Sequence, residues 1–216
     1  NQHSKQNIQR MWSVGYSEYK SRLKAVPKTF GKPRLICIEE NEMQYLQQGL
    51  KSLMYDVIEN HPLTKGKVNF TRQDINQNLA LESSASRENS TIDMSEASDR
   101  ISRLLVEKVF SKCPVMLYYL RLLSTRIITI DDEDYHCNKF SPMGSGICFP
   151  VMSIVHWSLI RAIMELSSTL TDHIDSLHVY GDDIIISSKS HTAITTILPR
   201  FGMKLNVNKS YASSFF

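Results

Sequence analysis

The sequence is poor in cysteine and in long apolar runs. Its four cysteines stand at positions 37, 113, 137 and 148 without a CxxC spacing, so neither a zinc ribbon nor a disulfide framework is predicted. The longest apolar run, residues 147–164, contains Pro150, His156 and Arg161, which argues against a membrane span. No secretory signal pattern is visible in the first residues. We therefore expect reduced thiols in a cytosolic protein.

A large net charge is also absent, because the sequence has 25 basic and 22 acidic residues. With 42% apolar residues among 216, the chain can form one cored domain or two interleaved lobes, and wholesale disorder is excluded. The charges are nevertheless segregated: residues 1–36 hold eight basic and one acidic side chain, residues 93–183 thirteen acidic and eight basic, and residues 184–216 four basic and none acidic. This distribution suits a protein that binds phosphates and gathers carboxylates at a metal site, although a solvated basic face explains most single clusters.

Helix and strand patterns from Ser90 onward predict an α+β fold, an antiparallel sheet covered by helices. The predicted order is a strand ending at Asp93, a helix from about Ser95 to about Phe110 with Ser95, Ser98 and Asp99 as cap-like residues at its start, a helix from Pro114 through Leu123, a hairpin over 126–140 with an acidic turn at 131–134, a loop over 141–146, a helix over 147–166, a hairpin over 177–187, a helix over 192–201 and a strand over 204–207. The acidic turn is expected to be solvated.

Two adjacent acids stand at the tip of the second predicted hairpin, in Tyr180-Gly181-Asp182-Asp183. Neighbouring carboxylates repel each other and raise each other's pKa values unless a cation is bound. A hard divalent ion such as Mg²⁺ prefers oxygen ligands. Gly and Asp are also common in ordinary hairpin turns, so this tetrapeptide alone leaves a metal site and a plain turn equally open.

A third acid, Asp93, ends a different predicted strand. Two-metal sites take acids from separate elements around ions about 3.5–4 Å apart, and Asp93 with Asp182 and Asp183 would supply such a set. The alternative role of Asp93 is to cap the following helix. The joint occurrence of these acids, in this order and with a glycine-rich loop between them, favours the metal site.

These motifs resemble those of the viral RNA-directed RNA polymerases, most of all the replicase catalytic (beta) subunit of the positive-strand RNA bacteriophages, the leviviruses. The resemblance covers nearly the whole chain. It is carried by six segments, which are 27–39, 73–80, 93–99, 143–146, 179–186 and 201–209.

The resemblance implies a catalytic role for a set of acids and one lysine. The implied ligands of two Mg²⁺ ions, for which Mn²⁺ could substitute, are Asp93, the carbonyl of Met94, Asp182 and Asp183. Lys209 would protonate the leaving pyrophosphate, with Lys204 as the second choice.

Nucleotide binding would fall to a second set of residues: Lys28, Arg34, Asp99, Gly144 and Ser145. In this comparison Lys28 and Arg34 offset the charge of the triphosphate, and Asp99 accepts a hydrogen bond from the ribose 2′-hydroxyl. Ser145 stands where the family loop usually has Asn.

The implied fold is the palm of a right-hand polymerase with part of the fingers and without the thumb. Residues 1–89 would be partial fingers with a basic motif at the nucleotide entry. Residues 90–216 would be the palm with motifs A to D, and residues 113–140 within them a fingers insertion. We therefore expect a fragment of a longer enzyme.

The implied function is RNA-templated RNA synthesis from ribonucleoside triphosphates, for replication of a viral genome in the cytoplasm of a bacterial host. Its partners would be the RNA template and product, the triphosphates, and host translation factors in a replicase complex. Two alternatives stay open, a reverse transcriptase and a non-catalytic RNA-binding palm. The polar Asp99 and the Gly181 before the acid pair favour RNA synthesis over the first, and the lone aromatic of the central hairpin, Tyr180, lends the second little support.

Overall fold

The computed structural model describes residues 20–29 and 32–211, which form two small sheets and six helices. The strands are β1 Lys20–Thr29, β2 Lys32–Ile38, β3 Asn89–Asp93, β4 Ile127–Ile130, β5 Glu133–His136, β6 His178–Tyr180 and β7 Asp183–Ser187. The helices are α1 Asn41–Asn60, α2 Gln73–Ser86, α3 Arg103–Val109, α4 Pro114–Leu123, α5 Cys148–Glu165 and α6 His191–Ile197. Short 3₁₀ turns cover Ala97–Arg100, Thr171–Ser176, Ser188–Ser190, Leu198–Phe201 and Val207–Lys209.

A three-stranded antiparallel sheet with the order β3-β7-β6 lies at the centre of the fold. Because side chains alternate between the faces of a strand, Ile92, Ile184 and Ile186 point into one core and are at most 1% exposed. That core includes many side chains of α5, a helix that is apolar on most of its circumference and is correspondingly buried. The antiparallel sheet with covering helices is therefore confirmed.

Both edges of this sheet are covered by irregular segments. The β3 edge is bridged at Met94↔Leu205 and Thr91↔Tyr211, and the β6 edge at Val68↔Val179. The predicted strand over 204–207 is wrong, because the 3₁₀ turn Val207–Lys209 lifts the chain out of register between the two bridges. Only Leu205 pairs within the predicted range.

The second sheet has the order β2-β1-β4-β5. Strands β1 and β2 pair antiparallel, whereas β4 pairs parallel to β1 through Lys20↔Ile127. The turn between β4 and β5 is shorter than predicted and consists of Asp131 and Asp132, both with positive φ, as a two-residue type I′ turn requires. The segment 127–136 therefore joins the N-terminal hairpin rather than the central sheet.

The single helix predicted from about Ser95 to about Phe110 is wrong. Glu96 adopts the left-handed conformation at φ 55° and is followed by a 3₁₀ turn, so the first predicted turn is not α-helical. The true cap of α3 is Ser102, whose Oγ accepts a hydrogen bond from the Leu105 N–H at 3.2 Å. The cap-like residues at positions 95, 98 and 99 therefore do not begin the helix.

The other predicted elements agree with the structure to within a few residues. The last predicted helix ends α-helically at Ile197 and continues as a 3₁₀ turn to Phe201, where Gly202 at φ 82° stops it. All four cysteines are free thiols. Among the described helices, none is both long and apolar enough to cross a membrane.

The glycine-rich loop touches the second sheet through backbone atoms. The Cys37 N–H of β2 donates to the Met143 carbonyl at 2.7 Å. At Gly144, with φ 111°, a Cβ would lie 2.1 Å from the Cys37 carbonyl oxygen. Only a glycine permits this approach, so the contact joins the loop, and the helix α5 that follows it, to the second sheet.

We predict that Gly144→Ala destabilises the chain far more than Gly202→Ala. Both glycines have positive φ, but a Cβ at Gly202 meets nothing within 4 Å. The alanine at 202 should cost about 1–2 kcal/mol of unfolding free energy for the left-handed backbone. At 144 the overlap with Cys37 should bring the loss to roughly 3 kcal/mol or more. Urea unfolding followed by circular dichroism measures both, and equal losses would contradict the proposed contact.

Candidate active site

The register of β3 and β7 brings two of the predicted acids face to face. Asp93 pairs directly with Asp183, and side chains at opposed positions have Cβ atoms about 4.5–5.5 Å apart. Asp182 is the second residue of the two-residue turn between β6 and β7, and Asp183 is the first residue of β7. Three carboxylates predicted from two separate segments thus converge at one end of the central sheet.

These acids repel one another in the absence of a cation. Burial raises the pKa of the Asp183 carboxyl, and repulsion from Asp182 and Asp93 raises it further, while a hydrogen bond from Gln73 opposes the change. The Asn76 amide of α2 donates to the Asp183 backbone carbonyl at 3.1 Å. Neutral side chains therefore hold Asp183 in place without cancelling the repulsion from the other two acids.

Asp93 is oriented from the segment that borders β3. The Asn206 amide donates to Asp93 Oδ2 at 2.6 Å, and the Asn206 N–H donates to the Asp93 carbonyl at 2.9 Å. The Asp93 N–H donates to Ser210 Oγ at 3.1 Å. Sequence reasoning did not single out Asn206 or Ser210, because short polar residues near a chain turn carry no signal of a distant partner.

A cavity of about 460 Å³ opens beside the acids. Its wall includes Asp93, Asp183, Lys209 and residues of α2. The charge of Lys209 lowers the pKa of Asp183, whereas the charge of Lys204 acts on Glu96. Of the two lysines predicted as proton donors, Lys209 is therefore the one that faces the carboxylates.

The glycine-rich loop is held by Gln47 of α1, a residue that sequence reasoning missed. Gln47 is fully buried; its Oε1 accepts from Ser145 Oγ at 3.0 Å and from the Gly146 N–H at 2.8 Å, and its Nε2 donates to the Leu123 carbonyl at 2.8 Å. Ser145 is 7% exposed, and its hydroxyl proton is given to Gln47. Ser145 keeps an oxygen lone pair as its only capacity toward a nucleotide.

Asp99 lies in the 3₁₀ turn beyond Asp93 and pairs with Lys139. Lys139 Nζ is 2.5 Å from Asp99 Oδ1. Burial alone would lower the pKa of Lys139, but the hydrogen bond and the charge of Asp99 raise it above its ordinary value. Beneath the pair, burial raises the pKa of the Cys148 thiol to about 12, so this cysteine is an inert neighbour.

Lys28 and Arg34 stand apart from the acids. Lys28 lies in β1 and Arg34 in β2, where Arg34 is opposite Val26, and both are exposed. Within the described part of the chain they do not line the cavity next to Asp93. The structure thus gathers the three carboxylates and Lys209, and leaves the two predicted triphosphate contacts on another sheet.

The carboxylate oxygens of Asp93, Asp182 and Asp183 are the kind of ligand that a hard divalent ion prefers. Carboxylate oxygens suit Mg²⁺, which also retains water ligands, and a cation would relieve the repulsion at Asp183. The two hydrogen bonds of the Met94↔Leu205 bridge are made by the Asp93 carbonyl and the Ser95 N–H. The bridge therefore leaves the Met94 carbonyl, the other predicted metal ligand, out of its hydrogen bonds. Over residues 20–29 and 32–211, no three His, Cys, Asp or Glu side chains are already arranged around one point as a ligand cage.

Solved polymerase structures share this fold. A telomerase of Candida albicans in complex with a fragment of telomeric RNA aligns with a TM-score of 0.62 and 12% identity, covering 89% of this chain and 41% of that one. The RNA-dependent RNA polymerase of a human picorbirnavirus, an insertion-loop deletion mutant, aligns at 0.60 and 13% identity over 89% and 42%. At such identities the likeness shows a mixed helix-and-sheet, palm-like fold.

Relatives in sequence are bacteriophage proteins. The RNA-directed RNA polymerase beta chain of Escherichia phage MS2 is 31% identical over 88% of this chain, and that of Enterobacteria phage GA is 32% identical over 92%. The chain spans about a third of the length of these curated relatives, 33% and 35%. The family model for the RNA replicase beta-chain matches residues 5–216. The chain therefore belongs to the RNA replicase beta-chain family, as the motifs had indicated.

Proposed function

We propose that the polymerase containing this chain makes RNA on an RNA template from ribonucleoside triphosphates by a two-metal-ion mechanism. The observation that carries the proposal is the pairing of Asp93 with Asp183 across β3 and β7, next to Asp182, within a chain of the replicase family. The reaction forms a bond between the 3′-oxygen of the growing strand and the α-phosphorus, and pyrophosphate leaves.

Asp93, Asp182 and Asp183, with the Met94 carbonyl, would hold two Mg²⁺ ions, or Mn²⁺ in their place. Such ions lower the pKa of an attacking hydroxyl and neutralise the charge of the leaving group. The chain's own part is to keep the acids in place: Asn206 fixes one Asp93 oxygen, and Asn76 fixes the backbone of Asp183. One Asp93 oxygen and the Asp183 backbone are thus held in place before the ions bind.

Lys209 would give its proton to the leaving pyrophosphate, because it lines the cavity with the acids whereas Lys204 faces Glu96. Lys28 and Arg34 would meet the triphosphate from the β1–β2 hairpin, Arg34 through its planar fork and Lys28 as a point charge. The Cys37–Met143 hydrogen bond, which joins β2 to the glycine-rich loop, supports this placement.

The ribose would be read by Asp99 and the loop at Gly144 and Ser145. Asp99 is exposed and its carboxylate is oriented by Lys139, so it can accept a hydrogen bond from the 2′-hydroxyl, the group that separates RNA from DNA precursors. Gln47 would keep Ser145 at a fixed place on the loop.

We assign residues 90–216 to the palm with motifs A to D and residues 1–89 to partial fingers, with 113–140 as a fingers insertion and the thumb outside this chain. The parallel pairing of β4 with β1 supports the insertion. Part of 1–89, residues 1–19 with 30 and 31, lies outside the described residues. We propose RNA template and product and the triphosphates as partners, host translation factors as further members of a replicase complex, and a bacterial cytoplasm as the place of action.

The reverse transcriptase alternative has only the telomerase fold likeness in its favour, at 12% identity. The RNA-binding alternative is disfavoured because Asp93 and Asp183 lie directly opposite each other beside the cavity, and an RNA-binding surface has no need of paired acids. RNA synthesis is therefore the single function proposed.

We predict that Asp182→Asn lowers primer extension on an RNA template by about 10³-fold, since metal ligation supplies several kcal/mol to the transition state. The measurement uses the chain extended to the length of its relatives. The control is Asp172→Asn, an exposed acid of the turn before β6, which should leave the rate unchanged. Full activity of Asp182→Asn, or RNA binding alone in the wild type, would contradict the mechanism.

We predict that Asp99→Ala reduces the preference for ribonucleotides over deoxyribonucleotides by about 10–100-fold, the worth of a hydrogen bond to a charged group. Glu96→Ala is the matched control, because Glu96 is an exposed acid of the same segment that pairs with Arg100. Competition between the two nucleotide types in primer extension gives the ratio. An unchanged ratio in Asp99→Ala would remove Asp99 from ribose recognition.

We predict that Asp183→Asn stabilises the metal-free chain at neutral pH by roughly 0.5 kcal/mol or less, because the side chain is only partly withdrawn from water and its charge is screened. The pKa of Asp183 is raised in the fold, so its ionised form opposes folding above the unfolded pKa, and the penalty vanishes as the pH falls below that value. Thermal unfolding should show a gain for the variant that shrinks on acidification and on addition of Mg²⁺. A loss of stability at neutral pH would contradict the repulsion.

A further inference from the structure

Helix α5 holds both peptide groups that flank Gly181, the residue before the paired acids. Ser153 Oγ accepts the Gly181 N–H at 3.1 Å, and His156 Nδ1 lies 2.9 Å from the Gly181 carbonyl oxygen. The two side chains are three residues apart on the helix, hence on one face, and both are 0% exposed. The N–H belongs to the Tyr180–Gly181 peptide plane and the carbonyl to the Gly181–Asp182 plane. Two hydrogen bonds thus fix both planes.

The direction of each bond follows from the available donors. Ser153 gives its own proton to the Phe149 carbonyl at 2.9 Å, which leaves its oxygen as an acceptor for the Gly181 N–H. A carbonyl only accepts, so His156 Nδ1 must carry the proton. The other ring nitrogen, Nε2, is buried without a hydrogen-bond partner. His156 therefore gives one hydrogen bond, and its target is the turn.

Space filling does not account for this histidine. A leucine would occupy the core beside α5 without leaving a buried nitrogen unpaired, which is an unfavourable state. The turn itself also needs outside support. Gly181 has φ 66° and a Cβ there would come within 2.4 Å of the Phe149 ring, so no side chain at this position can brace the acids. The turn is instead held by Ser153 and His156 of helix α5, which packs against the sheet.

We propose that His156 and Ser153 are positioning residues of the polymerase, which set the Gly181–Asp182 peptide plane and thereby the direction in which the Asp182 and Asp183 carboxylates meet Asp93. The inference rests on the proposed function and deepens it. Partners that orient metal ligands from outside commonly change metal affinity or activity by about 10–100-fold when removed. The two residues touch the backbone of the turn and not the substrate, so they act through the acids.

Two matched pairs of variants test the role. His156→Leu fills the space and removes the N–H, whereas His156→Asn places an amide N–H near the position of Nδ1. Ser153→Ala removes the acceptor, whereas Ser153→Thr keeps a hydroxyl. Mn²⁺ binding to the 216-residue chain is measured by electron paramagnetic resonance, and kcat and KM for nucleotides are measured in the chain extended to the length of its relatives.

The expected result for His156→Leu is Mn²⁺ binding weakened by about 10-fold and kcat lowered by at least that factor, with KM within about two-fold of the wild type. His156→Asn should recover most of both losses, and Ser153→Thr should do the same relative to Ser153→Ala. Unchanged Mn²⁺ binding and kcat in a folded His156→Leu, or equal losses in the leucine and asparagine variants, would overturn the inference.

If circular dichroism shows that His156→Leu does not fold, the test uses Ser153→Ala and Ser153→Thr instead. Ser153→Ala removes only one oxygen atom and should leave the fold intact. Wild-type Mn²⁺ binding separates the two proposals. If the wild-type chain binds Mn²⁺ and Asp182→Asn does not, an unaffected Ser153→Ala overturns only the positioning role. If the wild type binds no Mn²⁺, the two-metal proposal fails and the positioning role falls with it.

Discussion

The structure depends on one constraint, the register that sets Asp93 against Asp183 across two antiparallel strands. Like charges at opposed positions destabilise a strand pair, so the pairing must be enforced from elsewhere. The enforcement is apolar: Ile92, Ile184 and Ile186, next to the acids in the two strands, are sealed in the core with α5. A slip of β7 by one residue would turn Ile184 and Ile186 away from this core. Burial of these isoleucines therefore keeps the two acids opposite each other at the end of the strand pair.

The groups that orient the acids are almost all neutral. Asn206 and Ser210 hold Asp93, Asn76 holds the backbone of Asp183, and α5 holds the turn at Gly181. Amides and hydroxyls fix geometry without neutralising the carboxylates, which leaves the charge available to cations. Lys209 is the cation that lines the cavity with them. A salt-bridged acid cluster would be more stable, and it would be a poorer metal site.

Sequence patterns predicted that the three acids lie close together, because Asp93 ends one strand and Asp182 and Asp183 stand where a two-residue turn joins two others. They failed where a single backbone angle decides the outcome, as at Glu96, whose left-handed conformation breaks the predicted helix. They failed also at Val207–Lys209, where a 3₁₀ turn replaces a strand. Gln47 was missed because it is one of several polar residues of α1 and its partner Ser145 lies 98 residues away. His156 was missed because a single histidine in an apolar helix carries no sign of its partner.

The most direct test of the account is a crystal structure of the replicase chain with Mn²⁺ and a non-hydrolysable ribonucleoside triphosphate, with the ions located by anomalous scattering. The account predicts two peaks about 3.5–4 Å apart, between Asp93 and the Asp182–Asp183 pair. Absence of density there at saturating Mn²⁺, or peaks confined to the acidic turn at Asp131 and Asp132, would contradict it.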